Sequence, residues 1–175
     1  MPFAVTLPLD EAAASEVERL LDALVARTGA DDVVGLGYRP HITLAILPET
    51  APPAGIEAAT FAVAAGWARF PLVLAGLGVF PGTSPVIWVA PIVTADLLTR
   101  HAELHAALAA FDVHAHYAPA AWVPHVTLTK EGAVSAGRAI EAVSSAWRGP
   151  INATIDRVEL VRFRPVDILR SEALP

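Results

Sequence analysis

Apolar and polar positions along this chain fall into a readable series of strand and helix patterns. Phe3-Ala4-Val5-Thr6-Leu7-Pro8-Leu9 reads as a strand. Val17, Leu20, Leu21, Leu24 and Val25 then recur at helical spacing with Glu and Arg between them, which predicts a helix over 11–28. Asp10 is its expected N-cap and Gly29 its stop. A turn-rich passage through Gly35, Gly37 and Pro40 leads to a strand pattern over 41–47, closed by Pro48, Pro52 and Pro53. A short helix is predicted over 56–66. Two apolar runs, Leu72 to Phe80 and Val86 to Ile92, flank Pro81-Gly82-Thr83-Ser84-Pro85 and read as a hairpin.

The order then repeats. Thr94 is an expected N-cap for a helix over 95–111, with Leu97, Leu98, Leu104, Leu108 and Phe111 on one apolar face. A loop through His114, His116, Tyr117 and Pro119 precedes a strand over 122–129. A helix is predicted over 134–147 and one long strand over 151–163. Arg164-Pro165 turns the chain into a short edge strand over 167–170.

Inside this repeat lies a repeated motif. Pro40-His41-Ile42-Thr43-Leu44 and Pro124-His125-Val126-Thr127-Leu128 are both Pro-His-aliphatic-Thr-Leu, with their histidines 84 positions apart (125 − 41). The same shift places Leu20 on Leu104, Leu24 on Leu108 and Tyr38 on Trp122. The pattern predicts one domain, residues 1–175, built of two pseudo-symmetric halves at about 1–84 and 85–175.

Composition narrows the reading by exclusion. A length of 175 residues suits one domain with a substantial core. The most apolar stretch, Ala58 to Phe80, is broken by Arg69 and Pro71, so no membrane span is expected. Asp10 and Glu11 come too early for a signal peptide, and a cytoplasmic location is expected. The chain has no Cys, which removes thiol catalysis and Cys-ligated zinc. A net charge of −6 without a Lys/Arg cluster disfavours tight binding to long nucleic acid and favours a small nucleotide.

On a strand, alternate side chains share a face. His41 and Thr43 therefore point one way and Ile42 and Leu44 the other, and His125 and Thr127 repeat the arrangement. Two imidazoles at one centre suit displacement at phosphorus: one removes a proton from the nucleophile, the other protonates the leaving oxygen. The two hydroxyls can donate to non-bridging phosphate oxygens. No metal or cofactor is required. Arg39 is a candidate for attracting phosphate, with a surface position as the alternative. Tyr38, Trp122 and Tyr117 are candidates for stacking on a nucleobase, with core or rim packing as the alternative. His101 and His105, at i and i+4, read better as a partly exposed helix pair than as metal ligands. A metal site of His114, His116 and His125 would leave the twin threonines unexplained.

The doubled motif, its separation and the order of elements resemble the 2H phosphoesterase superfamily, in particular its bacterial 2′-5′ RNA ligase / 2′,3′-cyclic phosphodiesterase-like group. Phe80-Pro81…Val86-Ile87-Trp88-Val89 is similar to a run found there. The resemblance covers nearly the whole chain. It implies a bilobal α+β fold in which two antiparallel sheets form a central groove with helices outside. It implies His41 and His125 as the acid–base pair and Thr43 and Thr127 as phosphate ligands. Many members carry a cation just after the second motif, where Lys130 stands here, although strict alternation puts Lys130 on the opposite face. The implied activity is opening of a nucleoside or RNA 2′,3′-cyclic phosphate, with 2′-5′ ligation where an RNA 5′-hydroxyl replaces water; a monomer is expected. A non-catalytic RNA- or nucleotide-binding module using the same groove is the alternative.

Overall fold

The caps fall where the sequence places them. Asp10 accepts a hydrogen bond from Ala13 N–H, Thr94 accepts one from Leu97 N–H, and Gly29 closes the first helix at φ 74°. In the computed structural model, which describes residues 1–130 and 134–175, these caps frame β1 (Phe3–Pro8), α1 (Glu11–Thr28), β2 (His41–Leu47), α2 (Pro53–Ala64), β3 (Phe70–Phe80), β4 (Val86–Pro91) and α3 (Ala95–Ala107). There follow β5 (Val126–Thr129), α4 (Ala136–Ala146), β6 (Ile151–Ile155), β7 (Arg157–Arg162) and β8 (Asp167–Ala173).

The strands form two four-stranded antiparallel sheets, ordered β2-β1-β7-β8 and β5-β4-β3-β6. The fold is α+β. Helices α1 and α4 pack together, as do α2 and α3. The motif strands are anchored from behind: Ile42, Leu44, Val126 and Leu128 are all at most 1% exposed. Each such side chain stabilises the fold by about 1.5–3 kcal/mol.

Several elements differ from the sequence reading. The strand expected over 151–163 breaks at Asp156. β6 pairs with β3, whereas β7 pairs with β1 in the other sheet. The two pieces have different surroundings: β6 alternates buried and exposed, while the middle of β7 is buried throughout. Each sheet consequently draws strands from both halves of the chain. Pro53 opens α2 at its first turn, where the missing N–H costs nothing. α3 ends at Ala107, and Phe111 leaves the helix to lay its ring on Gly55, where a Cβ would come within 3.1 Å. The ladder of β5 begins only at Val126, because Pro124 has no N–H to offer it. The edge strand β8 reaches Ala173, which pairs with Arg157.

Candidate active site

Both motifs show the burial alternation that strand geometry requires. His41, Thr43, His125 and Thr127 are half-buried, and the residues between them are buried. All four line one cavity of about 270 Å³, formed where β2 and β5 meet.

The two histidines are held in the same manner. His41 Nδ1 lies 2.8 Å from the carbonyl oxygen of Arg39, and His125 Nδ1 lies 2.7 Å from that of Val123. A carbonyl only accepts, so each Nδ1 carries its hydrogen. That leaves Nε2 as the chemically active nitrogen on both rings, a base when bare and an acid when protonated. Burial lowers the pKa of His41 to about 4. The bond to Arg39 opposes that effect, and the charge of His125 adds to it. Burial also lowers the pKa of His125, with the bond to Val123 opposing and His116 adding. A bound phosphate anion acts in the opposite sense and draws a proton back to the pair.

Strand register sets the neighbours of the two motif threonines. Cross-strand neighbours share a face. In one sheet Thr43, Thr6, Glu159 and Ser171 form a polar row across β2, β1, β7 and β8. In the other, Thr127 is followed by the apolar Trp88 and Gly78 across β5, β4 and β3. Gly78 is required there, because a Cβ at that position would lie 2.2 Å from the Trp88 ring. Phe80 stands edge-on to His125, with ring centroids 5.0 Å apart.

Of the other residues singled out from sequence, Arg39, Tyr38, Tyr117 and Lys130 line the cavity. Lys130 does so because β5 ends at Thr129 and the chain bends, so strand alternation no longer governs it. The carboxylate of Asp32 fixes that bend, accepting from Thr129 Oγ1 at 2.6 Å and Lys130 N–H at 2.8 Å. The ring of Tyr38 packs 4.6 Å from that of His41.

Trp122 is placed elsewhere. It is buried, stacked on His101 at 3.8 Å and 4°, and its Nε1–H donates to the Thr43 carbonyl at 3.0 Å. It therefore ties the segment leading to His125 onto the first motif strand. His101, expected to be partly exposed, is 1% exposed, and its Nε2 is bonded to the Tyr117 carbonyl. The indole of Trp122 and the Tyr117 carbonyl bury it. Among the described residues no group of three His, Cys, Asp or Glu is arranged to hold a metal. His116, in the loop before the second motif, lines the cavity; so do Thr6 and Arg164, and only these last two escaped sequence reasoning. Only long-range pairing brings those two in, and no local motif marks them.

The geometry defines an α+β fold of two antiparallel sheets with a paired His-x-Thr cavity. The chain belongs to the 2′-5′ RNA ligase superfamily, whose family model matches residues 8–167. Solved structures share the fold. TT0787 of Thermus thermophilus superposes with a TM-score of 0.70 at 18% identity, covering 99% of this chain and 98% of its own. E. coli LigT, in complex with 3′-AMP, gives 0.64 at 19%, covering 99% of both chains. Kluyveromyces marxianus Usb1 gives 0.52 at 11%, covering 99% of this chain and 98% of its own. No curated protein sequence matches.

Proposed function

We propose that this protein is a cyclic phosphodiesterase that opens nucleoside or RNA 2′,3′-cyclic phosphates by two-histidine acid–base catalysis. The observation that carries this reading is the mirrored pair of Nδ1–H···O=C bonds, which leaves the Nε2 of each ring as its reactive nitrogen at one cavity. One bare Nε2 takes a proton from water as its oxygen bonds to phosphorus. The other, protonated, gives its hydrogen to the ribose oxygen whose bond to phosphorus breaks. The product is a phosphomonoester with a free hydroxyl, and the pair ends with the proton exchanged between rings. Thr43 and Thr127 donate to the non-bridging oxygens as charge gathers there. Arg39 and Lys130 supply positive charge at the cavity wall. With a 5′-hydroxyl of RNA in place of water, the same transfers join ends through a 2′,5′ bond.

The side chains present supply every proton transfer in this scheme. LigT has been solved with 3′-AMP, ATP and NADP+, which supports a nucleotide as the ligand class. The test is ³¹P NMR of the four nucleoside 2′,3′-cyclic monophosphates incubated with the protein in EDTA at pH 6. The reading expects the cyclic signal to be replaced by that of one monoester isomer. Saturable binding with no new signal for any of the four would instead favour a nucleotide-binding module. Turnover abolished by EDTA would refute the mechanism.

A further inference from the structure

Among the described residues, Glu159 is the only buried carboxylate, 6% exposed, and the proposed reaction leaves it unused. Its partners are hydroxyls. Oε2 accepts from Tyr38 Oη at 2.7 Å, and Oε1 accepts from Ser171 Oγ at 2.9 Å. Because Tyr38 spends its one hydrogen on Glu159, the 2.7 Å contact with Thr6 Oγ1 is donated by Thr6. A directed chain therefore runs from Thr6 through Tyr38 to a carboxylate that Ser171 holds from the far side. Burial raises the pKa of the Tyr38 phenol, so it keeps its hydrogen in this chain. A buried charge is costly to maintain, and such charges concentrate at functional sites.

The chain ends on His41. The Tyr38 ring lies 4.6 Å from the imidazole at a 48° tilt. The bond from Nδ1 to Arg39 fixes one edge of that imidazole, and Tyr38 walls it on one side. His125 has a different enclosure, with the edge-on ring of Phe80 at 5.0 Å and Trp88 at 5.9 Å. The charges acting on His41 come from three directions. His125 and Lys130 disfavour its proton, and Glu159 favours it.

We propose that Tyr38 and Glu159 are positioning residues for His41: the carboxylate locks the phenol, and the phenol's ring holds the imidazole in its reactive orientation. The proposal rests on the two-histidine reading of the groove. It makes the two halves of the site unequal despite their matching motifs.

The test follows the ring C–H resonances of His41 and His125 by NMR against pH, without substrate, in wild type and Glu159→Gln. The expected result is a His41 pKa lower by about 0.5–1 in the variant, less than the 1–3 that a directly contacting charge produces. His125 serves as the internal reference and is expected to move less. Tyr38→Phe keeps the ring and cuts its anchor, so kcat is expected to fall roughly threefold to tenfold with KM within about twofold. An unchanged His41 pKa in Glu159→Gln overturns the proposal. If that variant does not fold, an unchanged kcat in Tyr38→Phe overturns it. A wild type without turnover would refute the proposed reaction, and the substrate-free titration would still decide whether Glu159 acts on His41.

Discussion

Replacing Trp122 with Phe separates two roles for a residue that stands three positions before His125. β2 is an edge strand, and the Thr43 carbonyl on it accepts from the indole N–H at 3.0 Å. Phe keeps an aromatic face for the stack on His101 and loses that donor. A backbone carbonyl left without its partner costs about 1–3 kcal/mol. We take about 2 kcal/mol, which for a chain of this size lowers Tm by about 4–8 °C. Urea unfolding followed by circular dichroism measures the first quantity and a thermal scan the second. Thr43 shares its strand with His41, so kcat should fall as well. KM should stay within about twofold, because Trp122 is not among the cavity-lining residues. Unchanged stability together with a raised KM would refute the argument and return Trp122 to a base-stacking role.

Other consequences follow from burial and register. The acid–base pair must hold one proton, and burial lowers both pKa values, so kcat/KM should be bell-shaped with its optimum below the ordinary imidazole value of about 6.5. The kcat optimum should lie higher, because bound phosphate restores the proton; a kcat/KM optimum above 7 would contradict this. Burial, aided by His105, lowers the pKa of His101 to about 4. The unfolded chain then takes up the proton first, so stability is full above about pH 6.5 and drains as pH falls toward 4. The urea midpoint should drop between pH 7 and 5, and less steeply in His101→Gln; parallel slopes would count against it. Gly78→Ala puts a methyl 2.2 Å from the Trp88 ring, so Trp88 must move. Its fluorescence and the ring-current shifts of His125 should change, and unaltered spectra would show that the indole does not lie on Gly78.

Local pattern carried most of the fold to the page. Asp10, Thr94 and Gly29 mark helix ends through hydrogen bonds within a few residues, and such signals are legible without tertiary context. The orientation of the motif residues was legible for the same reason, since strand alternation is a local property. What escaped depends on long-range pairing. Nothing near Asp156 announces that the chain changes sheets there. Glu159 enters the polar row only because β7 pairs with β1, more than 150 residues earlier in the chain. Trp122 and Tyr38 occupy matching positions, yet one is buried on His101 and the other lies against His41. Their helix and loop partners decide this, and the motif repeat does not encode those partners.

Single-turnover rates for wild type, His41→Ala, His125→Ala and the double variant on a nucleoside 2′,3′-cyclic phosphate show whether His41 and His125 act as one acid–base unit. Each single substitution is expected to lower the rate by roughly 10²–10⁴. The double variant should lose little more than the worse single one, as for groups that work as a unit. Full activity in either single variant, or losses that simply multiply in the double variant, would contradict a shared acid–base role.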